Sequence, residues 1–231
     1  MKMIFKTTGR LFKLMLIAAG WATLSPLDAQ EPEYGYVRLV NAVAKGTGAV
    51  MVLIDGENIN TAGYKLGAVT GGIGLKPGSH SVTIQREGAE SGTTTVKVVK
   101  DETTTLIPFA EKVPAADDKP ATWAIRILRL KEQAAQHERG ATFVSVARQP
   151  EIKVEVGRGR GQWDAASVER LSIARLPVKE SGGYVPIRIN GEELPAMAVP
   201  SAGNYVVILY EDAEEKMRSL NFRDIKFLSA D

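Results

Sequence analysis

Short runs of apolar and β-branched residues, separated by glycine and proline turns, repeat along most of this 231-residue chain. Within the runs, as in residues 94–98, every second side chain is apolar, which is typical of a strand with one buried face. Many short strands of this kind favour antiparallel sheets packed face to face. The pattern predicts strands at residues 36–43, 49–54, 79–86, 93–99, 103–109, 122–130, 141–147, 152–156, 170–176, 185–189, 205–210 and 225–228.

The clearest turn signal is Asn190-Gly191, which directly follows the run 185–189. Both residue types tolerate the positive φ that a type I′ turn requires, so a hairpin is predicted there. Residues 131–139 are the one segment with good helix propensity. Because the segment is too short to be stable alone, we expect a connecting turn of helix or a loop.

Residues 110–121 are polar, with Pro114, Pro120 and the acidic pair 117–118. Such a composition is typical of a linker between domains, although a long loop within one domain would share it. The predicted fold class is all-β, with two immunoglobulin-like antiparallel β-sandwich domains after a cleaved signal peptide. The predicted organisation is a signal peptide at 1–29, a β-sandwich domain at 34–110, a linker at 111–121 and a second β-sandwich domain at 122–231.

The first 29 residues have the layout of a secretory signal peptide. Four basic residues precede an uncharged apolar run at 14–24, and Leu27-Asp28-Ala29 supplies a small-residue cleavage site. The run is too short to cross a hydrocarbon core of about 30 Å as a helix, although an uncleaved anchor is the alternative. We therefore expect a periplasmic or secreted protein that meets the membrane only through its signal peptide.

The composition excludes several chemistries. Without cysteine there is no disulfide, no cysteine nucleophile and no cysteine-based zinc site, and two histidines leave no room for a histidine-rich metal centre. Removing residues 1–29 takes away four basic residues and Asp28, which leaves 25 basic and 26 acidic side chains. This balance argues against nucleic acid as a partner, and we expect no cofactor and no metal.

No catalytic residues emerge from the search for chemistry. His80 precedes Val82 and Ile84 at strand spacing, which favours a hydrogen-bonded, buried or half-buried histidine over a catalytic base, and His137 lies in a charged stretch. No serine has the G-x-S-x-G frame of a hydrolase. The acidic run 211–215 lacks the spacing of a calcium loop and is interpreted as a solvated hairpin tip.

The candidate binding surface is the glycine–arginine segment 157–161 with the tryptophan that follows it. Arg158 and Arg160 alternate with glycines, and guanidinium groups bind carboxylates or phosphates in a bidentate manner. Trp163 could stack on a sugar ring or on one of these arginines. The alternative is an ordinary solvent loop with Trp163 packed at its base.

Three segments form a connected pattern: residues 36–42 (YVRLVNA), 50–56 (VMVLIDG) and 75–84 (LKPGSHSVTI). The pattern resembles a group of secreted bacterial β-sandwich domains of unknown function that open with V-R-x-V-N/H-A. Its opening and its P-G-S-x-S/T-V strand are also similar to the family of periplasmic accessory proteins of alginate O-acetylation. The resemblance covers residues 36–109. The second half matches only in its β-rich character and departs from the family at 131–139 and 157–161.

The resemblance implies a non-catalytic adaptor or binding protein that is accessory to exopolysaccharide O-acetylation. It implies polysaccharide-modifying proteins of the envelope, or an acidic glycan, as partners, and it transfers no catalytic residues. One alternative is a carbohydrate-binding module that holds glycan directly, which exposed coplanar aromatic residues would support. An enzyme is the weakest alternative, because no activated nucleophile or acid–base pair is visible.

Overall fold

A computed structural model of the protein describes residues 33–116, 120–133, 140–179, 183–200, 203–224 and 227–230. The signal-peptide prediction for 1–29 lies outside the described residues. Most of the segment predicted to have helix propensity, 131–139, also lies outside them, but residues 131–133 belong to a strand. All regular elements within the described ranges are strands, and none of these residues forms a helix able to cross a membrane. The strands are β1 Gly35–Leu39, β2 Thr47–Ile54, β3 Glu57–Asn58, β4 Ile73–Leu75, β5 Gly78–Glu87, β6 Ala89–Val98, β7 Thr103–Val113, β8 Thr122–Gln133, β9 Gly140–Ser145, β10 Glu151–Gly157, β11 Trp163–Glu169, β12 Ile173–Pro177, β13 Gly183–Ile189, β14 Glu192–Val199, β15 Asn204–Glu211, β16 Met217–Asp224 and β17 Phe227–Ala230.

The first eight strands form one large sheet in the order β3-β2-β5-β6-β8-β7-β1-β4, to which β17 adds beside β8. This sheet has two halves, which we call wings: β3-β2-β5-β6 and β8-β7-β1-β4. The wings are joined at a single β6–β8 pair, Glu90 with Ala124. Buried residues from both wings, such as Ile84 on β5 and Leu106 on β7, belong to one core cluster. The wings therefore face each other across this core as a sandwich.

The later strands form a second sandwich of two four-stranded sheets, β11-β10-β13-β14 and β12-β9-β15-β16. Phe143 and Val207 from one sheet and Val154 and Ile187 from the other meet in its core. The all-β fold class with packed sheets is thus confirmed. Pairing is mostly antiparallel, but β1 pairs with β7, and β9 with β15, in parallel.

A third cluster of buried residues lies between the two sandwiches. Ile107 and Phe109 on β7 contribute to it from one side, and Val144 on β9 and Val206 and Ile208 on β15 from the other. Every residue of β9 is buried, because one face of the strand packs in each core. A strand covered on both faces is expected to be a continuous apolar run, and this is what residues 205–209 show.

The segment predicted as a linker, 111–121, contains the end of β7 and the connection to β8. The two strands pair antiparallel from Thr104–Lys131 to Val113–Thr122, so β8 completes the first sheet. Residues 33–231 form one compact unit. Whether the two sandwiches fold when separated stays a prediction.

The acidic tip of the β15–β16 hairpin contacts the first sandwich. Lys112 Nζ and Arg148 Nη2 each lie 2.7 Å from a carboxylate oxygen of Glu215, and these hydrogen bonds lower the pKa of Glu215 to about 2. Lys45 Nζ donates to the Ala213 carbonyl at 3.0 Å. The segment is a hairpin tip as predicted, and Glu214 and Glu215 are exposed. Contacts with Lys45, Lys112 and Arg148, which are distant in sequence, also hold the tip against the rest of the protein.

Candidate binding surface

The glycine–arginine segment is the ordered tip of the β10–β11 hairpin. Gly157 and Trp163 form the last pair of the two strands. Beyond them the Arg158 N–H donates to the Gln162 carbonyl at 2.8 Å, and the Gln162 N–H donates to the Gly159 carbonyl at 3.1 Å. The glycines thus close a tight turn.

Three consecutive residues of this tip have left-handed backbone: Gly159, Arg160 and Gly161, with φ of 78°, 49° and 73°. Glycine adopts this conformation without cost, whereas a residue with a Cβ is disfavoured there. The turn therefore requires its two glycines. It also projects Arg160 from the end of the hairpin, where the side chain is exposed.

The two arginines of the tip differ in their surroundings. Arg158 Nη1 lies 3.0 Å from Asp164 Oδ1, so its charge is balanced within its own hairpin. In the described part of the chain Arg160 has no ion-pair partner. The structure thus leaves Arg160, and not both arginines, available to an anionic ligand.

Trp163 stacks on Arg188, which was not among the residues predicted from the sequence. The guanidinium carbon of Arg188 lies 3.8 Å from the centroid of the Trp163 ring, in cation–π geometry. Arg188 Nη2 also donates to Glu193 Oε1 at 2.8 Å. The register brings Arg188 to this position, because Glu155 pairs with both Ala165 and Arg188 and so links the three strands.

The outward residues of β13 extend this surface. Val185 and Ile187 face the core, so Tyr184, Pro186 and Arg188 point away from it. Tyr184 is 76% exposed, the largest value among the exposed large apolar residues described. A Cβ on Gly157 would lie 2.6 Å from Pro186 Cγ, so the glycine lets Pro186 lie flat beside the hairpin.

We call this surface the outer-face patch; it consists of Arg160, Trp163, Tyr184, Pro186 and Arg188. Arg160 and Trp163 were predicted from the sequence, whereas Tyr184, Pro186 and Arg188 were not. The alternation within residues 184–189 was a usable signal, since it puts 184, 186 and 188 on one face. The pairing of β10 with β13 could not be predicted from the sequence, because the two strands are not consecutive.

The chemistry of the outer-face patch is that of recognition. Aromatic and proline rings offer flat apolar contact, and Arg160 offers a guanidinium fork for a carboxylate. Arg188 is already engaged by Glu193, whose side chain is 63% exposed. Among the described residues, no group of three histidine, aspartate or glutamate side chains is arranged to hold a metal ion.

His80 is half-buried and hydrogen-bonded, as the sequence predicted. Its Nδ1 lies 2.7 Å from Asp55 Oδ2 and its Nε2 lies 2.8 Å from the Lys76 carbonyl oxygen. Both partners are acceptors, so the doubly protonated ring donates twice. The hydrogen bond to Asp55, followed by that to Lys76, raises the pKa of His80. In this doubly protonated form the ring has no lone pair for proton abstraction. The second histidine, His137, lies outside the described residues.

This arrangement predicts a pH-dependent stability. Because the pKa of His80 is raised on folding, its contribution is fully present below the unfolded value of about 6.5. It is lost as the pH rises through the folded pKa. Denaturant midpoints measured from pH 6 to pH 9 should fall over that window. The His80→Gln variant should flatten the decrease, while His137→Gln should retain it; equal slopes in all three proteins would contradict the assignment.

A second aromatic surface lies on the first sandwich. Tyr34 and Tyr36 are 37% and 39% exposed, and they pack over Gly74 and Gly72 of the neighbouring edge segment. The charge near this surface is balanced, because Lys100 Nζ lies 2.6 Å from Glu33 Oε1. The two tyrosines therefore offer apolar contact without the free guanidinium of the outer-face patch.

Comparisons with known proteins identify no family. No protein-family model matches the chain, and no curated protein matches it. Among solved structures, the Bacillus anthracis TIE protein is 11% identical over 78% of this chain, with a TM-score of 0.24. The match spans about half of that structure's length (50%). A likeness at this TM-score carries no argument about the fold or the function of the present chain.

Proposed function

We propose that this chain is a non-catalytic binding protein of the bacterial periplasm or exterior, which holds an acidic glycan and is accessory to exopolysaccharide modification. The observation that carries the proposal is the outer-face patch. It combines the highly exposed Tyr184 and the Trp163–Arg188 stack on one sheet face with the adjacent Arg160, whose guanidinium has no ion-pair partner among the described residues. The position of His80 supports a role without catalysis, since both its ring nitrogens form hydrogen bonds, one with the Asp55 carboxylate and one with the Lys76 carbonyl oxygen.

The patch suits a carboxylated sugar chain for two reasons. An aromatic ring covers the apolar face of a pyranose, and Tyr184 is sufficiently exposed to do so. A guanidinium binds a carboxylate with two parallel hydrogen bonds, and Arg160 stands at the tip of the adjacent hairpin. A neutral glycan would use only the first of these contacts.

The cellular setting in this proposal comes from the sequence. The predicted signal peptide supports export, and the resemblance of residues 36–109 supports a place beside enzymes that O-acetylate an exopolysaccharide. In that setting, partner enzymes carry out acetyl transfer and this chain holds the polymer. A carbohydrate-binding module that acts alone is the alternative. A neighbouring gene for a membrane-bound O-acyltransferase would favour the accessory protein, and its absence would favour the module.

The double variant Arg160→Ala/Tyr184→Ala should bind alginate at least tenfold more weakly than the parent in affinity electrophoresis or calorimetry. Both side chains are exposed, so the circular-dichroism spectrum and the melting temperature should stay unchanged. Parent binding should weaken as salt rises, because exposed charges are screened over about 10 Å at 0.1 M. Neutral dextran should bind more weakly than alginate.

The matched control is Tyr36→Ala/Lys97→Ala, which removes one exposed aromatic and one exposed cation from the first sandwich. It should bind alginate like the parent. If the outer-face double variant also binds like the parent, the patch is wrongly assigned. If the purified chain alone cleaves or acetylates the polymer, the non-catalytic proposal fails.

A further inference from the structure

A cavity of about 430 Å³ lies where the two sandwiches meet. One side is formed by the start of β6 and by β8, and the other by the turn between β11 and β12. Its volume falls in the range of about 300–1,000 Å³ that is usual for small-molecule sites. The cavity contains none of the residues of the outer-face patch.

Two arginines and one glutamate line this cavity. Arg126 Nε donates to Glu111 Oε2 at 3.0 Å, and Arg170 Nη2 donates to Glu111 Oε1. Partial burial acts to raise the pKa of Glu111, but the hydrogen bonds from Arg126 and Arg170 outweigh it and lower the pKa. With Glu111 ionised, two positive charges face one negative charge. The cavity therefore carries one surplus positive charge.

The guanidinium groups of Arg126 and Arg170 also have N–H donors that Glu111 does not use. Each has five N–H groups, and Glu111 accepts one from each arginine. Within the described residues no other acceptor takes their hydrogen bonds, and the side chains of Arg126 and Arg170 are 56% and 32% exposed. An incoming carboxylate could thus bridge Arg126 and Arg170 without displacing Glu111.

The rest of the lining is partly hydroxylated and partly apolar. Ser91 and Thr94 supply hydroxyl groups from β6, and Phe109, Leu128 and Leu171 supply apolar surface. Such a mixture fits a ligand with several hydroxyl groups on an apolar ring face. A simple aliphatic or aromatic carboxylate would leave the serine and threonine hydroxyls unused.

Leu171 adds an independent observation. It has a left-handed backbone with φ of 59°, which is disfavoured for leucine, and its side chain is 37% exposed. Its N–H donates to the Ser145 carbonyl at 2.8 Å, which holds the turn in place. Backbone outliers of this kind cluster at binding sites, where the surroundings enforce them. Here the result is an apolar side chain presented at the cavity.

We propose that this cavity binds a single uronic acid, with the carboxylate between Arg126 and Arg170. The sugar hydroxyls bond to Ser91 and Thr94, and the apolar ring face lies against Leu171. This site is separate from the outer-face patch and does not rest on the function proposed above. Its failure would leave polymer binding by the patch untouched.

Calorimetric titration of the parent with D-glucuronate tests the site, with D-glucose and acetate as comparison ligands. Glucuronate should bind at least tenfold more tightly than either, because only glucuronate offers both the carboxylate and the ring. Arg126→Gln should weaken glucuronate binding at least tenfold. The side chain of Arg126 is 56% exposed, so this variant should melt like the parent. Arg160→Gln, which alters the outer-face patch, should bind glucuronate like the parent.

Leu171→Gly supplies a second test. Glycine accepts the left-handed backbone, so relief of this strain offsets part of the cost of the more flexible chain, and the variant should remain folded with the circular-dichroism spectrum of the parent. Loss of the apolar contact should weaken glucuronate binding at least threefold. The proposal is overturned if Arg126→Gln binds like the parent, if glucose or acetate binds as well as glucuronate, or if Leu171→Gly retains full affinity. Loss of binding in Arg160→Gln alone would assign the uronate to the outer-face patch instead.

Discussion

Replacing Phe143 with alanine should lower the free energy of unfolding by about 3–5 kcal/mol. Phe143 is fully buried on β9 in the core of the second sandwich, and it pairs with Ala174 on one side and Val207 on the other. The neighbouring strands cannot collapse into the space left by the ring, because the other face of β9 is packed in the core between the sandwiches. Urea or guanidinium titration would measure the loss.

Tyr184→Ala is the matched control, since it also truncates an aromatic ring but at a position that is 76% exposed. Its free energy of unfolding should stay within about 0.5 kcal/mol of the parent value. A loss below about 1 kcal/mol for Phe143→Ala would mean that the core relaxes to fill the cavity. That result would contradict the packing of β9 between two cores.

Strands with a buried face were predictable from the sequence. Val82 and Ile84 alternate with exposed or half-buried residues on β5, and the predicted run 79–86 lies within Gly78–Glu87. β15 is buried along almost its whole length, and its continuous apolar run gave the prediction at 205–210. In both cases burial against a core dictates which residue types occur, so the pattern carries the information.

The strands that the sequence analysis missed all lie at sheet edges: β3, β4, β11, β14 and β16. An edge strand needs fewer apolar residues, because part of its surface faces water. β14 also contains Pro195, a residue that sheets accept at their edges. The prediction at 170–176 began too early, since residues 170–172 form the turn that contains the left-handed Leu171.

The candidate site shows a similar limit. The local sequence identified Arg160 and Trp163, because a glycine–arginine segment and a following tryptophan are visible in one stretch. The stacking of Arg188 on Trp163 depends on the pairing of β10 with β13, which are separated by β11 and β12 along the chain. Arg158 was predicted to belong to the binding surface together with Arg160, and the structure pairs it with Asp164 in the same hairpin. Local composition does not determine such pairings.

The segment 111–121 illustrates the ambiguity of proline and aspartate. Both residue types are frequent in linkers and in turns, so composition alone does not separate the two. Glu111 and Lys112 continue β7 because they pair with Ala124 and Trp123 of β8. The pairing depends on β8, which the composition of the segment does not reveal.

The Arg38→Met variant should lower the free energy of unfolding by about 3 kcal/mol, as expected when one partner of a buried ion pair is removed. Arg38 on β1 donates from Nη2 to Asp224 Oδ2 at 2.6 Å, and the side chains of the two residues are only 13% and 2% exposed. Arg38 also donates to Thr105 Oγ1. Methionine would leave the buried carboxylate without this hydrogen bond. Denaturant titration would measure the loss.

A double-mutant cycle separates the Arg38–Asp224 interaction from other effects of the substitutions. Asp224→Asn alone should lower the free energy of unfolding. The loss in the double variant Arg38→Met/Asp224→Asn should be smaller than the sum of the two single losses, because the pair is then removed as a whole. Lys100→Met breaks an ion pair of the same length, 2.6 Å, whose side chains are 50% and 53% exposed. It should leave the denaturation midpoint nearly unchanged, since water replaces the lost contact. If Arg38→Met lowers the free energy of unfolding no more than Lys100→Met does, the buried pair does not couple β1 of the first sandwich to β16 of the second.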